Sequence, residues 1–244
     1  MTPPWFVAAP ENWAEGTVQL DRGESHHALD VLKVAAPDVI TVTDGAGRVA
    51  RCAVREVAAG RVIADILQVD EHRSLTPRIV VYQGAAKGRK LDDTVGKLAE
   101  MGAAEFWTYY SERSVANWDK DKIEKVTTRW RSIARAATKV ARSPFTTEVG
   151  GVLSWIEMVR RITREEFTVV LWEEASLPLR TALDGSGGRV ALVIGPEGGL
   201  ARNEAEALAD AGAQLVSLGP RIFRTENASV VATASLLYHY GLIG

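Results

Sequence analysis

Val190-Ala191-Leu192-Val193-Ile194-Gly195-Pro196-Glu197-Gly198-Gly199-Leu200 is the stretch whose reading decides the fold. Its first five residues are uninterrupted apolar, the pattern of a short strand buried on both faces of a parallel sheet. Gly195 and Pro196 end that strand, since proline has no N–H for a ladder and glycine accepts a sharp exit. Gly198 and Gly199 leave the next loop without side chains, so its backbone can approach a ligand closely. Asn203 is a candidate cap for a helix over residues 204–211, with Glu206 at its third position and Gly212 placed to end it. A strand, a bare loop and a helix in this order offer a ligand site at the carboxyl edge of a sheet.

The loop is neither a Walker loop, which needs a Lys-Ser/Thr pair after its last glycine, nor a G-x-G-x-x-G dinucleotide turn. Glu197 in mid-loop also disfavours a phosphate. A second strand candidate, residues 215–218, is again broken by a Gly-Pro pair, Gly219-Pro220. The chain then runs Arg221-Ile222-Phe223-Arg224-Thr225-Glu226-Asn227-Ala228 into a final helix with Val230, Val231, Ala234, Leu237 and Tyr238 on one face. Two adjacent bare loops can read the edge of a base through N–H and C=O groups, with Leu218 and Ile222 against its faces.

The pair IGPEGGL and LGPRIFRTENA resembles the signature of the SPOUT methyltransferases, specifically the ribosomal RNA small subunit methyltransferase E family. The resemblance implies an α/β fold: a SPOUT-type parallel sheet with a C-terminal trefoil knot, preceded by a PUA-like β-barrel that binds RNA. It implies S-adenosylmethionine as cofactor, a two-fold homodimer, and methylation of uracil N3 in 16S ribosomal RNA. Cofactor contacts then fall on Leu171, Trp172, Glu173, Ile194, Gly195, Pro196, Glu197, Gly198, Gly199, Leu218, Gly219, Ile222 and Phe223. Arg224 is the candidate catalytic residue. Glu226 is a candidate to orient it, and reads equally as a first-turn acid favoured by the helix dipole.

Composition sets outer limits. The chain has 244 residues, a net charge of −2 and one cysteine, Cys52, which excludes an internal disulfide or a Cys-rich zinc site. No apolar run approaches membrane-spanning length and no basic, apolar leader opens the chain, so a cytoplasmic protein with no membrane or metal is expected. Apart from the short Gly185–Gly188 stretch, low complexity is absent.

Residues 1–72 read as a small β domain. Residues 5–8 and 17–20 are strand candidates, residues 38–43 and 48–57 flank an Asp-Gly turn as a hairpin, and residues 61–69 alternate. Ser25 is a candidate cap for a short helix carrying His26 and His27. The segment His27, Val31, Leu32, Lys33 is similar to the family's motif in this domain, with Lys33 where Arg is usual; His26 and His27 also read as surface polar residues. Charge argues against this region as the main RNA grip: it holds 6 Lys+Arg against 11 Asp+Glu, whereas residues 73–244 hold 23 against 20.

A polar linker at 72–77 opens the second region, residues 73–244, where strands and helices alternate as in a parallel sheet covered by helices. Strands are expected at 79–82, 105–109 and 167–172. A helix carries Leu91, Val95 and Leu98 and stops at Gly102, and Ser154 with Glu157 forms a capping box for a helix over 155–162. A long helix over 121–141 turns Ile123, Val126, Trp130, Ile133, Ala137 and Val140 inward. Residues 120–142 carry eight Lys+Arg and two Asp+Glu, and Lys122, Arg129 and Arg142 there, with Lys87, Arg89 and Arg113 in loops, are the candidate phosphate contacts.

Three further segments are similar to family motifs: Lys87-Gly88-Arg89-Lys90-Leu91-Asp92, Ser111-Glu112-Arg113-Ser114, and Trp172-Glu173-Glu174. Gly96, the stretch Arg135, Thr138, Lys139, Val140, and Asn227 depart from the family pattern. A 2′-O-ribose methylase of the same superfamily and a catalytically silent RNA-binding protein remain open alternatives.

Overall fold

The computed structural model describes residues 2–183 and 188–244; the glycine-serine stretch noted above lies, up to Gly187, outside the described residues. The chain forms two compact units, Met1–Ser74 with Arg135–Thr146, and Leu75–Ala134 with Thr147–Gly244.

The first unit is a six-stranded sheet in the order β1 (Trp5–Val7), β4 (Val39–Thr43), β5 (Arg48–Ala58), β6 (Arg61–Glu71), β3 (Thr17–Gln19), β2 (Trp13–Ala14). Only β1 and β4 pair in parallel. The barrel expected from the sequence is met as a sheet whose edges, β1 and β2, are three and two residues long and are not joined by a ladder. Phe6, Val18, Leu20, Ile40, Val42, Val54 and Val62 fill its core. Helix α1 (Arg22–His26) is capped by Asp21, whose carboxylate accepts the Glu24 N–H at 2.9 Å, rather than by Ser25. Ser25 is fully buried and its hydroxyl ties the Leu20 carbonyl to the Val62 N–H, so burial took it out of the capping role. A π-helical turn, His27–Val31, follows.

The second unit contains an all-parallel sheet ordered β12 (Gln214–Val216), β10 (Phe167–Leu171), β11 (Arg189–Ile194), β7 (Arg78–Gly84), β8 (Glu105–Tyr109), β9 (Glu148–Leu153). β11 is buried along Val190–Ile194, as a central strand with covered faces must be. Its neighbours and α4 (Trp155–Ile162) and α6 (Arg202–Asp210) share one apolar cluster, including Val80, Tyr82, Ala191, Val193, Met158 and Leu208. α2 (Lys90–Met101) packs on α7 (Thr225–His239), and α7 packs on β7 and β11. The Ser154–Glu157 capping box is present, and Gly102 ends α2 at φ +87°.

Three helix details differ from the sequence reading. α6 starts two residues earlier than expected, with Ala201 rather than Asn203 at its cap position, and Glu204 rather than Glu206 reaches back, accepting the Ala201 N–H at 3.0 Å. In α3 (Lys120–Ala141) Trp130, Ala134 and Ala137 are buried, but Val140, in the last turn, is 73% exposed. α7 buries its small and polar residues, Thr225, Ala228, Ser229, Ala232 and Thr233 with Leu236 and Leu237, and leaves Tyr238 72% exposed. Close approach to the strands selects small side chains there, so the bulkier Val230 and Val231 are only half-buried and Tyr238 turns outward. β9 and the short α5 (Leu179–Ala182) carried no sequence signal that stood out.

Candidate functional site

The strand order places a topological switch between β7 and β11: β7 connects onward to β8 on one side, whereas β11 connects to β12 beyond β10 on the other. Divergent connections open a crevice outside the carboxyl ends of those two strands. The Gly195–Gly199 loop leaves β11 there, opposite the loop that leaves β7 at Gly84. The approach is close: a Cβ on Gly84 would lie 2.3 Å from the Pro196 nitrogen, so no other residue fits.

A buried polar cluster fixes this point. Gln83 Nε2 donates to the Gly195 carbonyl at 3.3 Å and to the Thr225 hydroxyl at 2.7 Å. Thr225 in turn donates to the Gly195 carbonyl, and the Ser229 hydroxyl donates to Gln83 Oε1. Tyr109 donates to the neighbouring Ile194 carbonyl at 3.0 Å. Burial, with the Glu204 carboxylate adding to it, raises the Tyr109 pKa and keeps that phenol a donor. The start of α7 is thereby pinned to the first glycine loop. None of Gln83, Tyr109, Thr225 or Ser229 was singled out from the sequence, although a glutamine after four apolar strand residues was the readable hint.

The loop itself is wound tightly. Gly199 has φ +70°, and a Cβ there would lie 2.7 Å from the Glu173 carboxylate. A Cβ on Gly198 would meet Arg113 at 3.0 Å, so bulk at 198 pushes on the Ser111–Ser114 turn before it meets any ligand. Arg113 donates to the Gly198 carbonyl at 3.2 Å, and the buried Glu204 carboxylate accepts the Glu112 N–H at 2.7 Å. Glu197 accepts from the Lys87 N–H and from the Lys90 ammonium, both at 3.1 Å. Burial opposes its charge, but these donors and its own N–H outweigh it and lower its pKa, so the crevice carries a carboxylate.

The other expected cofactor residues gather at the same edge. Leu171 and Ile194 are register partners, and so are Leu171 and Val216. The Trp172 N–H donates to Val216, and the segment after it runs beside Ser217, just before Leu218 and Gly219. Gly219 has φ +104°, and a Cβ on it would meet nothing within 4 Å. Ile222 is 92% exposed and Phe223 36% exposed beside this open space. Among the described residues, the buried Trp172 indole N–H has no acceptor.

Arg224 precedes α7 as its cap residue, its carbonyl accepting the Asn227 and Ala228 N–H groups, and its side chain is exposed. Among the described residues it forms no ion pair with Glu226. Glu226 instead holds one carboxylate oxygen buried without a donor. What the structure fixes at Arg224 is its backbone, at the start of α7 beside Thr225.

The expected RNA contacts divide. Arg89 and Arg129 both bond Asp92, Lys87 and Arg113 flank the glycine loop, and Lys122 is exposed on α3. Arg142 sits past the end of α3 at φ +51°. In the first unit, Arg135 and Lys139 are committed to Asp21 and Glu24, so part of the basic stretch is structural. His27 packs edge-on to Phe6 at 6.3 Å, His26 pairs with Asp30 at 2.6 Å, and Lys33 is exposed at φ +57°.

A family model described as RNA methyltransferase domain matches residues 73–237. A ribosomal RNA small subunit methyltransferase E from Mycobacterium bovis is 35% identical, over 89% of this chain and 84% of its own. The chain belongs to the ribosomal RNA small subunit methyltransferase E family. The Bacillus subtilis family member is 30% identical over 93% of this chain and 92% of its own. Among solved structures, the family member from Neisseria gonorrhoeae, bound to S-adenosyl methionine, superposes with a TM-score of 0.87 at 28% identity, covering 97% of this chain and 98% of its own.

Proposed function

We propose that the protein uses S-adenosylmethionine to methylate N3 of a uridine in the 16S ribosomal RNA of the small subunit. Family membership supports the reaction class, and the geometry at the switch point supports the cofactor. The crevice offers bare backbone, exposed apolar Ile222 and Phe223, and the carboxylates of Glu173 and Glu197. Such a lining suits a cationic sulfonium with an adenine, and repels a polyphosphate. The observation that carries the reading is that Thr225 ties the first glycine loop to the start of the helix that Arg224 precedes.

When bound, the cofactor supplies a methyl group activated by its sulfonium. The loops hold that group against the base, and proximity supplies much of the acceleration. Loss of the N3 proton to solvent water leaves N3 free to take the methyl group and spreads negative charge onto the flanking carbonyl oxygens of uracil. The Arg224 fork meets two such acceptors at once and stabilises that charge as it forms. Glu226, with its unengaged carboxylate oxygen one helical position beyond Thr225, is assigned to accept a hydrogen bond in the loaded complex.

In the same reading, residues 1–72 form a PUA-like RNA-binding domain and residues 73–244 the SPOUT domain with its C-terminal knot. Two copies associate through the outward residues of α7 in the cytoplasm, with no metal required. Incubation of purified protein with methyl-labelled cofactor and small ribosomal subunits, followed by nucleoside mass spectrometry, tests the reaction. Label in 3-methyluridine supports the proposal; label on a ribose supports a 2′-O-methylase, and no transfer supports a silent RNA binder.

A further inference from the structure

We propose that Asp92 is a positioning residue that holds Arg89 and Arg129 together as a clamp for one RNA phosphodiester, an inference that rests on the RNA-methylase reading above. One carboxylate oxygen of Asp92 accepts from Arg89 Nε at 3.2 Å and from an Arg129 amino group. Its other oxygen accepts the indole N–H of Trp130 at 3.0 Å. Trp130 is 2% exposed and anchors the carboxylate to the core of α3.

The arrangement has an electrostatic logic. Two guanidinium groups meeting on one oxygen repel each other, and the shared carboxylate offsets that repulsion while fixing both planes. Asp92 is mostly covered, with 16% of its side chain exposed, whereas the side chains of Arg129 and Arg89 are 42% and 83% exposed. Each guanidinium has five N–H donors and spends only one nitrogen on Asp92, so both keep donors to offer a phosphate. The lysines of α2 are otherwise engaged, Lys90 with Glu197 at 3.1 Å and Lys97 with Asp93 at 2.7 Å. The two arginines are thus the oriented positive charge at this end of α2, and a phosphodiester, planar in its pair of unesterified oxygens, matches them.

Charge and geometry predict opposite signs for one substitution. Asp92→Asn removes a negative charge from the RNA-facing surface, so a purely electrostatic surface would bind small-subunit RNA more tightly. Positioning predicts weaker binding, by about tenfold, the loss of one charge-assisted hydrogen bond. The test measures RNA affinity across a salt series, together with KM for RNA and for cofactor, in Asp92→Asn, Asp92→Glu, Arg89→Ala and Arg129→Ala; Asn keeps the acceptor for Trp130, and indole fluorescence checks the fold. The expected result is weaker RNA binding and raised KM for RNA in Asp92→Asn, unchanged KM for cofactor, partial rescue in Asp92→Glu, and no further loss when Arg129→Ala is added. Equal or tighter binding by Asp92→Asn, while the arginine variants weaken it, overturns the clamp. Undiminished binding in the arginine variants overturns the RNA reading of this surface itself.

Discussion

Gln83 donates to the Thr225 hydroxyl over 2.7 Å inside a region where Gln83 is wholly buried and Thr225 is 8% exposed. One bond thus joins the end of the central strand β7 to the first residue of α7, with the Gly195 carbonyl accepting from both side chains. Thr225→Val keeps the shape and removes the hydroxyl, leaving Gln83 short of a partner. A loss of about 1–3 kcal/mol in stability is expected, the range for a buried polar group left unpaired. Denaturant unfolding measures it, and calorimetry should show weaker cofactor binding as well. A variant with wild-type values for both would mean that the cluster does not set the loop.

The glycines separate into two kinds. Gly84→Ala must drive a methyl into the Pro196 backbone at 2.3 Å, so this variant should fold poorly or not at all. Gly199→Ala combines φ +70° with a 2.7 Å approach to the movable Glu173 carboxylate, so it should fold yet bind cofactor more weakly. Adding Glu173→Ala should recover only part of the loss, because the backbone strain remains. Full recovery in the double variant would place the whole cost on the side-chain clash.

The basic face of α3 should split in solution as it does in the structure. Lys122→Ala and Arg142→Ala should each lower the slope of log affinity against log salt by about 0.7–0.9, one phosphate contact apiece. Arg135→Ala should instead destabilise the first unit, since Arg135 pairs with Asp21 and Glu24. Identical salt slopes in all three variants would argue that α3 does not track RNA.

Asp21 gives a pH signature to that pairing. Burial raises its pKa, but the Glu24 N–H, Arg135 and the Gly23 N–H together outweigh burial and hold it below the usual carboxylate value. A depressed folded-state pKa adds stability above the unfolded value of about 3.9, and that stability is lost as pH falls through the folded value. The melting temperature should therefore fall on acidification below about pH 4, and fall less steeply in Arg135→Ala. Parallel acid profiles for the two proteins would remove Asp21 from the account.

α7 presents Tyr238 at 72% exposure while burying its small residues. An apolar outer face on a terminal helix fits a two-fold pair of such helices. Light scattering at micromolar concentration should give a dimer, and Tyr238→Glu should give a monomer. A wild-type monomer would refute the assembly.

Much of this fold was legible because its signals were local. A run of buried apolar residues ending in Gly-Pro can hardly be anything but a central strand, and Val190–Ile194 lies where that pattern put it. Leu91, Val95, Leu98 and Gly102 likewise mark α2 and its end. The misreadings came where tertiary contacts override local preference. Ser25 has the chemistry of a cap but is drawn into the β-unit core, and Glu204, an ordinary helix acid in sequence, reaches across to the turn at Glu112. Period alone put Leu237 and Tyr238 on one face of α7, but contact with β7 and β11 favours small residues, and Leu237 is buried with them while Tyr238 is exposed. The site was legible in its glycines and not in its support. Gln83 acts through Gly195, Thr225 and Ser229, 112 to 146 residues away, and Asp92 reaches Trp130 38 residues on, separations that no spacing rule reaches.

The central claim is that the backbone that holds the cofactor also aims Arg224 at a uracil. Its most direct measurement is the position of the methyl group, by mass spectrometry of nucleosides from small subunits treated with wild-type protein and with Arg224→Ala and Arg224→Lys. The account predicts 3-methyluridine from the wild type and a loss of about a hundredfold to a thousandfold in turnover for Arg224→Ala. Arg224→Lys, which keeps the charge without the planar fork, should be nearly as slow, with cofactor binding intact in both. A methyl on ribose, or full activity without the Arg224 guanidinium, would contradict it.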